Sequence, residues 1–356
     1  MPESLIPALI SDGVCVYTGD CVTVLPSLEA GSADSVITDP PYALDFGGQA
    51  WDRRTGFRES LADLDTSGMS DGEVFQAWCR AWAAGVWSVL KPGGHLAAFG
   101  GTRTWHRLVA GVEAAGFEIR DQIAWLYSEG MPKTLDISQA IDRQLGAARP
   151  DRVVETAERD SILGRTRHVV DKGRPVTVEA QAWQGWGTGL KPAFEPILVA
   201  RKPVDGTIVG NVLAYGTGGL NIDACRTGGG RWPANVGLDT GQALVLDVAT
   251  GSYGSHHPVS ARFPVFHYQA KAPQRERPRA FGISHVTVKP LGLMRWLVKL
   301  LTPRGGLVLE PFAGSGTTIE AALLDGFRIV AIEQNESFLP LIKTRIDRAG
   351  NRPAHI

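Results

Sequence analysis

An acid, two prolines and a tyrosine stand in a row at Asp39, Pro40, Pro41 and Tyr42, directly after Val36, Ile37 and Thr38. The apolar pair reads as the end of a buried strand. A plain turn needs no such combination of a charge, two residues that lack a backbone N–H, and an aromatic ring. A second group lies near the other end of the chain, in "GGLVLEPFAGSGTTIEAALLDGFRIVAIEQNE". Here a strand runs into Gly314, Ser315 and Gly316, a helix opens at once, and a second strand ends in Glu333, nineteen positions after Gly314. Glycines let a ligand approach the backbone, and an acid at the end of the second strand can accept hydrogen bonds from both ribose hydroxyls. A dinucleotide site has a third glycine three positions after the second, with a pyrophosphate on the helix N-terminus. This chain has Ile319 there. A cofactor with adenosine but no phosphate fits better, and S-adenosylmethionine (SAM) is the common one.

The elements that must hold these residues alternate. Strands are predicted at Val14–Thr18, Ser35–Thr38, His95–Phe99 and Phe117–Tyr127, with helices at Gly72–Leu90 and Thr104–Ala115. The helix at Gly72–Leu90 rests on Val74, Phe75, Trp78, Trp82, Val86 and Leu90 at helical spacing, and "KPGG" is expected to stop it. The rhythm returns with a helix at Leu291–Leu301, a strand at Gly306–Glu310, a helix at Ser315–Leu324, a strand at Phe327–Glu333 and a helix at Ser337–Arg348. Such alternation implies a parallel sheet covered by helices. Between the halves the chain is rich in Gly, Pro, Trp and Arg, with one helix predicted at Asp136–Leu145 and strands at Pro196–Ala200 and Pro264–Tyr268. "YGTGGLNIDACRTGGGRWPAN" has too many glycines for regular structure. The expected organisation is a catalytic half at 1–127, an insertion or recognition region at 128–284, and a cofactor half at 285–350.

Composition narrows the class. With 356 residues and a formal net charge of −1, the chain is not a wholly basic, DNA-coating protein. Charge is uneven, however. Between Val259 and Arg304 the basic residues are Arg262, Lys271, Arg275, Arg277, Arg279, Lys289, Arg295, Lys299 and Arg304, and the acid is Glu276. That is the pattern of a local surface facing a polyanion, or of a solvated loop. No apolar run approaches bilayer length. The N-terminus carries an acid where a secretory signal carries basic residues, so a cytoplasmic protein is expected. Cys15, Cys21, Cys79 and Cys225 form no ligand pattern and read as reduced structural thiols. The histidines suggest no metal site.

"DPPY" in front and "EPFAGSGTT" behind together resemble the DNA amino-methyltransferases, in the circularly permuted group that places the catalytic half first. "VLKPGGHLAAFGGTRTWHRL", "GWGTGLKPAFEPILVARKP" and "HVTVKPLGLMRWLVKLLTPRGG" extend the resemblance over most of the chain. Two departures stand out. The family usually has Asp-Pro-Phe where this chain has Glu310-Pro311-Phe312, and a proline where it has Val286. The resemblance implies a Rossmann-like α/β fold with helices on both faces of a mostly parallel sheet. It also implies methyl transfer from SAM to an exocyclic amino nitrogen of a base flipped out of double-stranded DNA.

In that reading Asp39 and the carbonyl of Pro40 accept hydrogen bonds from the amino group, Pro40 and Pro41 stiffen the loop, and Tyr42 stacks on the base. Glu310, Phe312, Gly314, Ser315, Gly316 and Thr317 surround the cofactor, and Glu333 takes the ribose. Asp20 lies near the adenine of the cofactor, and Thr287 and Lys289 near its methionine carboxylate. Trp183, Trp186, Arg231 and Trp232 are candidates for base or groove contact, with core packing the alternative for the tryptophans. Arg275, Arg277 and Arg279 are assigned to phosphates. Asp at the first position of the tetrapeptide is more often associated with adenine N6, and Ser with cytosine N4. Family members are often homodimers. The rival classes are an N4-cytosine enzyme, an RNA or protein-amide methyltransferase, and an inactive DNA-binding protein.

Overall fold

The computed structural model describes residues 6–44, 52, 54–128, 130, 134–149, 152–154, 169–171, 173–266, 278, 280, 282–283, 285 and 287–350. The chain divides into two compact units, one of residues 1–129 with 194–356 and the other of residues 130–193. The first unit starts with β1 (Leu9–Ser11), β2 (Val14–Thr18), α1 (Cys21–Val24), β3 (Ala33–Thr38), α2 (Arg54–Glu59), α3 (Asp71–Val89), β4 (Leu90–Phe99), α4 (Trp105–Ala114) and β5 (Glu118–Leu126). The second unit holds α5 (Ile137–Gln144), β6 (Arg152–Val154), β7 (Val169–Asp171) and α6 (Val178–Ala182). The first unit resumes with β8 (Phe194–Arg201), α7 (Ile208–Tyr215), β9 (Val236–Asp239), α8 (Thr240–Ala249) and β10 (Val265–Phe266). It closes with α9 (Leu291–Leu301), β11 (Leu307–Glu310), α10 (Thr317–Leu324), β12 (Arg328–Glu333) and α11 (Leu339–Gly350).

Ten of these strands form one sheet in the order β1-β2-β12-β11-β3-β4-β8-β5-β9-β10. The last two strands of the chain therefore lie between the second and third. β12 pairs parallel with β2, and β11 pairs parallel with β3 through Val308–Ser35 and Leu309–Val36. That is the circular permutation expected from motif order, seen as strand order. The two motifs, 271 positions apart at Asp39 and Glu310, end on neighbouring strands.

Helices cover both faces, because successive strand residues point to opposite sides. Val36 of β3, Leu96 and Ala98 of β4 and Leu309 of β11 pack with Val74, Phe75, Trp78 and Trp82 of α3. Ile37, Ala97, Phe99 and Val308 pack with Leu293, Leu297 and Leu301 of α9 and Ile319 of α10. Full burial of one such side chain contributes about 1.5–3 kcal/mol. The start of α3 is fixed by Ser70, whose side chain accepts from the Glu73 N–H while Glu73 accepts from the Ser70 N–H.

Several expectations change in detail. β4 begins at Leu90, so "KPGG" lies inside a strand rather than merely ending a helix. β8 is antiparallel to both β4 and β5 and separates them. The alternating pattern implied a parallel sheet, but periodicity carries no strand direction. Three strands from the stretch 128–284 (β8, β9 and β10) belong to the main sheet. The separate unit within that stretch is the shorter segment 130–193, and the chain leaves and re-enters the sheet at Leu126 and Phe194, which are register partners.

Inside the second unit, the buried Asp142 of α5 accepts from the N–H groups of Val176 and Thr177 and from Arg149 at 2.5 Å. Burial alone would raise this carboxyl, but these donors hold it well below the usual carboxylate range.

Candidate active site

The strands β3, β4, β11 and β12 run parallel, so their carboxyl ends share one edge of the sheet. In open α/β sheets that edge is where ligands bind. Asp39 follows β3 there. Its Oδ1 accepts from the Tyr42 hydroxyl at 2.7 Å, and its Oδ2 lies 3.0 Å from Lys289 Nζ. The same ammonium lies 2.9 Å from Glu195 Oε2 and donates to the Tyr42 hydroxyl at 3.0 Å. Two carboxylates, one ammonium and one phenol thus form a connected cluster. Burial would lower the Lys289 ammonium, but the charges of Asp39 and Glu195 more than reverse this and hold it above its ordinary value. Burial first, and then the same two carboxylates, push the Tyr42 phenol well up.

Lys289, expected beside the cofactor's carboxylate, is therefore placed on Asp39. Glu195 was not singled out from sequence. It opens β8, and an antiparallel strand brings its first residues to the edge where parallel strands end. The signal available was "FEPILVARKP", an acid entering an apolar strand.

The tetrapeptide loop is braced from behind. Asp52, buried, accepts from the N–H groups of Tyr42, Ala43 and Leu44 at 2.9, 2.8 and 3.1 Å. Thr104 donates to the Tyr42 carbonyl at 2.7 Å. Ala43 sits at φ 56°, a left-handed conformation unusual for a residue with a side chain. These bonds fix the backbone from which the Tyr42 ring projects.

The ends of β11 and β12 carry the other acids. Glu310 is buried and accepts from the hydroxyls of Thr38 and Thr318 and from the Phe312 N–H at 3.0 Å. Burial pushes it up to about 8, although these donors pull it back; the charge of Asp39 adds to the rise. The Thr38–Glu310 bond links the end of β3 to the end of β11. Glu333 accepts from the N–H groups of Gly314 at 2.6 Å and Asn335 at 2.8 Å. Burial pushes it up to about 7 despite both bonds. Asp20 follows β2, whose Thr18 pairs with Glu333, and it caps α1 through the Val22 N–H while accepting from Ser60.

Gly314 and Gly316 take positive φ values of 52° and 78°. A Cβ on Gly314 would lie 3.2 Å from His285 Nε2, and one on Gly316 would lie 3.2 Å from the Ile342 backbone. Both positions therefore call for glycine: the backbone is left-handed there, and a side chain would crowd His285 or Ile342. Phe312 packs edge-on to Trp82 and tilted against Trp78. Ser315 bonds Thr317 at 3.1 Å, and Thr317 also accepts from Arg345, a buried residue paired with Glu320. Thr287 presents its carbonyl to His285 Nδ1 at 2.5 Å, and the His285 ring meets Phe338 edge-on. Glu333 uses two of its about four acceptor positions on backbone N–H groups, which leaves positions that fit the hydroxyls of the ribose of SAM.

Trp183, Trp186 and Trp232 are exposed, at 43%, 59% and 68%, which excludes core packing for all three. Trp183 and Trp186 stack edge-to-face at 5.1 Å within the second unit. Arg231 is exposed and lies in the first unit with Trp232. Arg275, Arg277 and Arg279 lie outside the described residues. The basic run is partly spent internally: Lys289 is paired as above, and Arg295 makes a two-pronged bond to Asp325 at 2.9 and 2.7 Å. Among the described residues no helix is long and apolar enough to cross a membrane, and no cluster of His, Cys, Asp and Glu could hold a metal ion.

The pattern of the DNA methylase family of N6 and N4 amino-methyltransferases matches residues 33–344. The Type II methyltransferase M.HindIII of Haemophilus influenzae is 24% identical over 355 residues, covering 93% of this chain and 94% of that protein. The Type II methyltransferase M2.MboI of Moraxella bovis is 44% identical over 61 residues, 17% of this chain and 22% of that one. Among solved structures, the cytosine-N4-specific PvuII DNA methyltransferase superposes with a TM-score of 0.51 at 16% identity, covering 98% of this chain and 90% of that one, a likeness of fold. The chain belongs to the DNA methylase family, and its cofactor is SAM.

Proposed function

We propose that this member of the family methylates adenine at N6, on a base flipped out of double-stranded DNA. The observation that carries the reading is Asp39 as the first residue of the tetrapeptide, held at the sheet edge beside the glycine loop. The exocyclic nitrogen is a poor nucleophile because its lone pair is conjugated into the ring. SAM, when bound, supplies a methyl group on a sulfonium centre, an electrophile that needs only a correctly aimed lone pair. Asp39 accepts one amino hydrogen and the Pro40 carbonyl accepts the other. Two acceptors placed out of the ring plane favour a more tetrahedral nitrogen. As the carbon–nitrogen bond forms and the carbon–sulfur bond breaks, positive charge passes from the sulfonium, left as a neutral thioether, to the amino nitrogen, where Asp39 stabilises it until one of the two amino protons is lost. Tyr42 offers its ring as a platform that offsets part of the unstacking cost.

On the cofactor side, Glu333 takes the ribose hydroxyls, the backbone of Gly314 to Gly316 lies along the methionine and adenosine, and Phe312, Ser315 and Thr317 shape that wall. Glu310 holds the loop to β3 through Thr38 and Thr318. Asp20 faces the adenine, and Thr287 completes the methionine side. Trp186, Trp232 and Arg231 contact DNA, with Arg275, Arg277 and Arg279 on phosphates, and the stretch 128–284 chooses the target sequence. The enzyme works in the cytoplasm, alone or beside a restriction enzyme, as a homodimer. The test is mass spectrometry of nucleosides from unmethylated DNA incubated with protein and SAM. N6-methyladenine is expected. N4-methylcytosine would keep the chemistry and reject the base, and neither product would reject DNA as substrate.

A further inference from the structure

The cluster around Asp39 has a hydrogen-bond polarity that can be read. The Tyr42 hydroxyl donates to Asp39 Oδ1 and accepts from Lys289 Nζ. One neutral group thus fills an acceptor and a donor side by side. The amino edge of adenine has that polarity: its N6–H donates, and the adjacent ring nitrogen N1 accepts. Cytosine offers the same with N4–H and N3. Guanine and thymine present the reverse, a carbonyl beside a ring N–H. Lys289 has three N–H donors and three acceptors within 3.0 Å, namely Asp39, Glu195 and the Tyr42 hydroxyl. Two of the three are charged. The neutral phenol is the partner most readily exchanged, and a neutral ring nitrogen is a like-for-like replacement.

Resting on the reading of an amino-bearing base as substrate, we propose that Lys289 belongs to the base pocket, donating to the ring nitrogen next to the amino group, with the Tyr42 hydroxyl as its placeholder and Glu195 as the positioning residue that holds it. Glu195 is needed for charge. Lys289 alone would neutralise Asp39 where positive charge develops on the amino nitrogen. With Glu195 the three side chains keep one negative charge in excess. The brace acts on the Tyr42 backbone, so turning its side chain from hydrogen bonding to stacking needs no movement of the loop. The pocket then selects for an amino group beside an unprotonated ring nitrogen and against the reversed pattern.

The test uses base analogues in a recognition duplex identified by sequencing methylated DNA. Nucleoside analysis first shows which base is methylated, and that arm bears on the adenine reading alone. If the product is N6-methyladenine, the analogue is 1-deazaadenine, which keeps the amino group and lacks N1; if it is N4-methylcytosine, the analogue is 3-deazacytosine. Loss of a hydrogen bond to a charged group predicts about 10- to 100-fold lower kcat/KM on the deaza duplex for the wild-type protein. In Lys289→Met that discrimination disappears, and SAM affinity measured by calorimetry stays the same. In Glu195→Gln the discrimination shrinks, a change that a merely structural role would not produce. Equal wild-type rates on both duplexes overturn the proposal, even if both variants fail to fold. It is also overturned if Lys289→Met discriminates as fully as wild type while its SAM affinity falls, which would place the lysine on the cofactor.

Discussion

At the end of β3 a carboxylate meets a cation; at the ends of β11 and β12 the carboxylates meet, among the described residues, hydroxyls and backbone N–H groups. The consequence is electrostatic. Lys289 is held protonated above its ordinary range by the charges of Asp39 and Glu195. Glu310 and Glu333, buried with neutral donors, are pushed to about 8 and about 7. A buried carboxylate needs either a counter-charge or enough donors, and neutral donors only partly offset the desolvation. Lys289 beside β3 is thus held protonated, while the acids at the ends of β11 and β12 titrate near neutral pH.

The largest effect is expected from Asp39→Ala, which should slow methyl transfer by about 10³-fold or more in a single-turnover assay, since it removes a preorganised group at the reacting nitrogen. Glu333→Ala comes next. It should weaken SAM binding about 10- to 100-fold by calorimetry, as loss of hydrogen bonds to a charged acceptor does, while transfer at saturating SAM persists.

A pH effect follows in size. Both buried acids bind their protons more tightly folded, at about 8 and about 7, than the ordinary value of 4.5. Between these limits the folded protein holds more protons than the unfolded one, so stability falls as pH rises through the window. The melting temperature of the cofactor-free protein should decline from pH 5 to pH 8, and Glu310→Gln should flatten the upper part of that slope. The smallest effect is expected at the DNA surface. Arg231→Ala should reduce the slope of log affinity against log salt by about one, and Trp232→Ala should weaken binding without changing that slope.

Much of this was legible from residue order. The strand Val14–Thr18 and the helix Leu291–Leu301 lie where periodicity put them, because each is a local pattern of burial. The order of the two motifs reads as a circular permutation, and the sheet places β11 and β12 between β2 and β3. What stayed hidden was direction and distance. Nothing local marks β8 as antiparallel, so Glu195 could not be brought to Asp39 by inspection. Lys289 sits 250 positions from Asp39 in sequence, and no local pattern pairs the two. Asp52, which braces the tetrapeptide loop, follows a stretch with no periodic signal. The helices at Ile208–Tyr215 and Thr240–Ala249 were also missed: they are short, and glycine-rich sequence surrounds them.

The division of labour between the two ends is tested most directly by titrating SAM into the wild-type protein and into Asp39→Ala across pH 6 to 8.5. One curve is expected for both proteins. Affinity should fall as pH drops below about 7, where Glu333 takes up its proton, at up to about tenfold per pH unit. A clear loss of affinity in Asp39→Ala, or a midpoint that moves with that substitution, would contradict it by showing that the acceptor carboxylate is part of the cofactor site.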